Sequence, residues 1–192
     1  MSTLSTTNLK NPSSGSNNIV LNADGTTTVA APSNIIKSGT AVASTSGVAI
    51  DFTGIPSWAK RVTVMFEGVS TNGSSLLQLQ LGTAVGIQST GYFSAVVGAG
   101  GFNTTSGNNL TSGFGIGNGT QTSDVYHGLL TISIQSAGLW VCSGVLARSN
   151  VAFTSTLAGS KNLSGTLDRV RITTVNGTDT FDAGSINLLW EG

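Results

Sequence analysis

Apolar side chains in this chain recur at every second position, in short runs bounded by glycine, serine, threonine and asparagine. That period fits a pleated strand, whose successive side chains point to opposite faces, and does not fit the 3.6-residue repeat of a helix. Across Arg61 to Val69 it sets Val62, Val64 and Phe66 on one face. Leu130, Ile132 and Ile134 align in the same way, as do Ile186, Leu188 and Trp190. Val170 and Ile172 share one side of their segment, with Leu167, Arg169, Arg171 and Thr173 on the other. Further strands are expected near residues 48–53, 75–81, 91–97, 138–147 and 151–157. The strongest helical signal is Pro56-Ser57-Trp58-Ala59-Lys60, one turn long with Pro at its front, which predicts a 3₁₀ turn. Roughly nine or ten short strands over about 155 residues predict an all-β fold, an antiparallel β-sandwich of jelly-roll type.

The surface of such a sandwich must be unusual, because only 8% of the 192 residues are charged. About half of the chain is Gly, Ser, Thr or Asn, so the exposed faces are hydroxyls and amides rather than ions. A surface of that kind is tolerable when much of it is buried against identical neighbours, which points to an oligomer. Zero net charge gives no electrostatic footprint for nucleic acid or an anionic membrane. One Cys excludes an intrachain disulfide framework, and one Cys with one His cannot supply a four-ligand zinc site. The opening residues lack the basic and apolar regions of a signal peptide, and no apolar run reaches the length of a membrane-spanning helix.

Residues 1–37 differ from the rest and are expected to form an amino-terminal arm, with the sandwich occupying 38–192. Asn11-Pro12 is a turn signal, and Ile19-Val20-Leu21, Asp24-Gly25 and Thr26-Thr27-Thr28-Val29 read as a β-hairpin with an Asp-Gly turn. A lone hairpin is marginal in water, so this one must pair with something else.

Residues able to do chemistry are few. His127, the only histidine, stands at the entry to a strand, where ordinary hydrogen bonding is expected, and no nucleophile-elbow pattern occurs. Cys142 lies in an apolar strand and is expected to act as a small buried hydrophobe. Asp179 and Asp182 could serve a glycosidase or a cation, but their setting reads as a hairpin turn in which Asp bonds its own backbone. The run Gly113-Phe114-Gly115-Ile116-Gly117 lacks the following Lys-Ser/Thr and the helix that a phosphate cradle requires. The Asn-x-Ser/Thr triplets are expected by chance in so Asn-rich a chain. No enzyme activity, cofactor or metal is expected. The segment from Gly98 to Gly119 is nearly low-complexity and reads as a long loop with weak strands near Leu110 and Phe114.

Three stretches carry a family resemblance. Asn8-Leu9-Lys10-Asn11-Pro12-Ser13-Ser14, with Asn18 to Gly25 after it, resembles the opening of tailed-phage fibre proteins, notably those of cyanophages. Ile50 to Val62, containing Ile55-Pro56-Ser57-Trp58, is similar to a module in small phage tail and virion-surface proteins, and so is the ending Ile186 to Gly192. The resemblance implies a structural virion protein, a homotrimer assembled in the host cytoplasm and exposed on the particle. Leu9, Lys10, Asn11, Pro12, Ile19, Val20 and Leu21 would then anchor it to other virion proteins. As a short tail fibre it would bind host-surface glycans polyvalently, with Tyr92, Phe93, Phe102, Asn103, Asn108, Asn109 and Phe114 as the candidate contacts. The alternative is a capsid-decorating trimer that stabilises the head.

Overall fold

The computed structural model describes residues 7–13, 15, 18–29, 36–100, 105–117 and 121–192. The chain divides into two compact units, Met1–Ile35 and Ile36–Glu191.

The first unit holds β1 (Asn8–Leu9), β2 (Ile19–Leu21) and β3 (Thr27–Val29) in one antiparallel sheet of order β1-β2-β3. The expected hairpin is β2–β3, pairing Val20 with Thr28. Its turn is fixed by Asp24, whose carboxylate accepts from the backbone N–H and the hydroxyl of Thr26, and by Gly25 at φ 83°. Those bonds, the hydroxyl one foremost, hold the Asp24 carboxyl below its usual range. β1 adds a third strand. Asn11 and Pro12 make the turn before it returns, with the Asn11 side chain accepting from the Ser13 N–H and the Asn18 side chain from the Asn11 N–H.

The second unit is an antiparallel sandwich. Its strands are β4 (Lys37–Ser38), β5 (Val42–Ala43), β6 (Ala49–Thr53), β7 (Arg61–Thr71), β8 (Leu77–Thr83), β9 (Gly86–Ile87) and β10 (Tyr92–Gly100). They continue as β11 (Thr105–Leu110), β12 (Phe114–Ile116), β13 (Tyr126–Ser136), β14 (Leu139–Arg148), β15 (Phe153–Asn162), β16 (Arg169–Thr174) and β17 (Phe181–Glu191). A nine-stranded sheet runs β11-β10-β15-β14-β13-β7-β17-β4, with β5 also on β17. A five-stranded sheet runs β12-β8-β16-β6, with β9 on β8. The core lies between them. Val62, Val64, Leu130, Ile132, Val170, Ile172, Ile186 and Leu188 are all fully buried, each on the face its alternation predicts. Pro56 to Ala59 closes as a single turn through the Ala59 N–H and the Pro56 carbonyl.

Three expectations need correction. The strands expected near Leu110 and Phe114 are present as β11 and β12, but the described residues after Gly98 are largely strand rather than loop: β10 runs on to Gly100, and β11 pairs with it from Leu110 opposite Ser94 to Thr105 opposite Ala99. The backbone ladder does not depend on apolar side chains, so a run such as Thr-Ser-Gly-Asn-Asn shows no alternation to read. The turn at 175–180 links β16 to β17, which lie in different sheets, and is therefore not a hairpin. The local turn chemistry there belongs to Asn176, whose side-chain oxygen accepts from the Thr178 and Asp179 N–H groups. Asp179 instead reaches across to the Ser75 N–H at 2.9 Å, and Asp182 accepts from the Ser70 hydroxyl.

Candidate functional site

The nine-stranded sheet turns its odd-numbered β10 residues outward, and there Phe93 is 83% exposed. Phe93 faces Ser160 of β15, while Ala95 lies between Ala158 of β15 and Asn109 of β11. The two alanines leave a shallow floor between larger neighbours. The result is a trough of about 490 Å³ lined by Phe93, Ala95, Asn109, Thr111, Ala158 and Ser160 among others. It offers one aromatic face, an amide and hydroxyls, and no charged side chain lines it. The nearest lysine in sequence, Lys161, is only 6% exposed and faces the other side of β15. Its ammonium donates to the Asn162 carbonyl at 2.9 Å and lies 5.3 Å from the Tyr92 ring centre, and burial lowers its pKa.

The predicted receptor residues separate into three groups. Phe93 and Asn109 meet in the trough. Asn108 is half-buried, opposite Val96. Tyr92 and Phe114 are buried at 2% and 0% exposure, Tyr92 touching the trough only from beneath, and their rings meet edge to face at 5.1 Å within the core. That corrects the expectation for both: each fills the sandwich interior, where aromatic area is most stabilising. Phe102 and Asn103 lie outside the described residues. Sequence reasoning missed Ala95, Ala158 and Ser160, because small side chains become a floor only once their strands are paired.

The predicted anchoring residues share the first unit. Leu9, Ile19 and Val29 stand abreast across its three strands, with Leu21 on the same face, while Asn8, Val20 and Thr28 occupy the other. Leu9, Leu21 and Val29 are 43–45% exposed, and none of the described residues of this unit is buried. Lys10, Asn11 and Pro12 are exposed at the turn.

The remaining reactive groups have structural occupations. The β7 ladder bulges at Gly68, leaving its N–H out of register; His127 Nδ1 accepts it at 3.2 Å, and Nε2 meets the Ser149 hydroxyl at 3.2 Å. Cys142 is buried, and that burial pushes its thiol pKa well up, away from the reactive thiolate. A Cβ on Gly113 would come within 2.9 Å of the Leu79 carbonyl, and one on Gly115 within 2.8 Å of Val96, so these glycines serve close packing. Among the described residues, no three His, Cys, Asp or Glu side chains converge as a metal site would require.

No protein-family model matches the chain, and no curated protein matches it.

Proposed function

We propose that this protein is a structural component of a tailed-phage particle, a short tail fibre that binds host-surface glycans polyvalently. The observation that carries the reading is the contrast between the two units. The sandwich has a complete core of its own, whereas the amino-terminal sheet lines up Leu9, Ile19, Leu21 and Val29 on one face without burying any of them. Three strands of two or three residues with an uncovered apolar face gain their stability from a partner. An anchoring segment attached to a self-sufficient exposed domain has that organisation. Leu9, Ile19 and Leu21 carry the attachment in this reading, together with Lys10, Asn11, Pro12 and Val20 around them.

The trough at Phe93 supplies the receptor contact. A pyranose lays its apolar C–H face on an aromatic ring and offers its hydroxyls to amides and hydroxyls, here Asn109, Ser160 and Thr111. The absence of charge in the lining favours a neutral sugar over an acidic one. Single sugar sites of this size are weak, and a trimer would raise their joint avidity by about 10²–10⁴.

Antibody-gold imaging of intact particles tests the placement: label at the tail supports the fibre, and label over the head transfers the chain to capsid decoration. Phe93→Ala tests the site, with binding of the purified protein to host cells expected to fall at least about tenfold, since each copy loses its stacking contact. Undiminished cell binding by that variant would remove the trough from the reading.

A further inference from the structure

The Pro56–Lys60 turn, the β13–β14 connection and the β15–β16 connection come together around another cavity, of about 420 Å³, which shares no lining residue with the trough. Its floor is apolar: Ala59, Leu163 and Leu167 are buried there beside the half-buried Ile134. Two nitrogen groups in the lining are left over. Trp140 is 3% exposed, yet its indole N–H has no acceptor among the described residues. The indole nitrogen of Trp190 is also unpaired but is sealed from solvent, whereas that of Trp140 keeps an opening. Lys60 is the one charged residue in the lining, and among the described residues it makes no ion pair. The carboxylates beside the lining are taken. Glu191, whose backbone carbonyl accepts the Lys60 N–H, pairs with Arg61, and Asp168, next to Leu167, pairs with Arg169. In register with Trp140 on β15 stands Lys161, a nearly buried ammonium held by the Asn162 carbonyl and likewise without a carboxylate. This end of the sandwich therefore carries positive charge that the chain itself does not neutralise.

The geometry points to a binding site for a small organic acid, its hydrocarbon body seated on Ile134, Leu163 and Leu167 and its carboxylate accepting from the Trp140 indole N–H and meeting the Lys60 ammonium. Three observations select this chemistry. The volume falls within the range of small-molecule pockets, about 300–1,000 Å³. The buried leucines favour an apolar body over a hydrated one. The two groups left over are both donors, so they call for an acceptor, and an anionic acceptor satisfies the ammonium as well as the indole. A neutral alcohol of the same shape takes the indole bond and leaves the ammonium uncompensated.

The inference uses none of the trough's residues and stands apart from the phage reading, so the failure of either leaves the other intact. The test follows the three indole N–H signals of the full-length protein in two-dimensional ¹H–¹⁵N spectra, with that of Trp140 assigned by elimination from Trp58→Phe and Trp190→Phe. The probe is 4-phenylbutyrate at pH 7, added to about 10 mM because so few contacts give affinities near the millimolar range, with 4-phenylbutanol as its uncharged counterpart. The acid is expected to shift the Trp140 signal saturably and the alcohol to bind at least about tenfold more weakly, for want of the charge-assisted bond. Lys60→Gln, at an exposed position, is expected to bring acid and alcohol to within about threefold of each other at an unchanged thermal melt. A Trp140 signal that the acid leaves unmoved, as when water alone fills the cavity, overturns the inference. Equal binding of acid and alcohol by the wild type overturns it too, as does a preference for the acid that Lys60→Gln leaves intact.

Discussion

Tyr92 reaches from β10 across the sandwich and fills a gap in the other sheet. β12 pairs with β8 only from Leu77 to Leu79, and β9 pairs with it only at Gly82 and Thr83. Between them the Leu81 N–H donates to the Tyr92 hydroxyl oxygen at 2.6 Å, and that hydroxyl donates to the Gln88 carbonyl at 2.8 Å. Tyr92→Phe keeps the ring and its contact with Phe114 but leaves a buried N–H without an acceptor. The expected loss is about 1–3 kcal/mol, read as a lower urea midpoint at unchanged slope. The sequence around Tyr92 could not have shown this. In Tyr-Phe-Ser-Ala-Val-Val the parity of Phe93, Ala95 and Val97 is the more apolar, so the residue order favours as core the face that is in fact outward. Only the pairing decides, and it sends Tyr92 inward and Phe93 out.

Elements with a contrast between their faces were legible, and those without one were not. β7, β13, β16 and β17 show their buried faces in the residue order. β4, β5 and β9 are two residues long, too short for a period to show, and β11 is an edge strand of mostly small polar residues whose pairing leaves no mark on composition. Bulges are equally silent. At the β7–β17 irregularity Gly184 adopts φ 90°, and a Cβ there would lie 2.4 Å from the Gly68 backbone. Gly177, at φ 67° in the 175–180 turn, has open space instead. Gly184→Ala combines an unfavourable backbone with collision against a neighbouring strand and is expected to cost at least about 3 kcal/mol. Gly177→Ala carries only the backbone strain of about 1–2 kcal/mol. Parallel denaturant titrations of the two variants measure the difference; equal losses would mean that the strands shift apart at no cost.

At the scale of the whole molecule the two units differ in what they need. The sandwich core draws on residues from Ile50 to Leu188, all within the second unit. Removing residues 1–35 is therefore expected to leave its melting temperature within about 2 °C, as for changes away from the core. A large fall in calorimetry would show that the amino-terminal segment supports the sandwich. The polar, aromatic-poor opening and its Asp-Gly hairpin set residues 1–37 apart in the sequence, two residues beyond the end of the first compact unit. The trough was legible only through Phe93 and Asn109, since its floor depends on which strands become neighbours.

All four arginines close on carboxylates of their own chain: Arg61 on Glu191, Arg148 on Asp124, Arg169 on Asp168 and Arg171 on Asp51. With zero net charge and its arginines neutralised in this way, the molecule projects little field beyond the roughly 8 Å over which salt screens. Its encounters are unsteered, left to diffusion at the modest rates of neutral partners and nearly indifferent to the ionic strength of the medium. On the proposed fibre reading, speed of capture would then depend on how many copies are displayed, not on how strongly any one of them attracts.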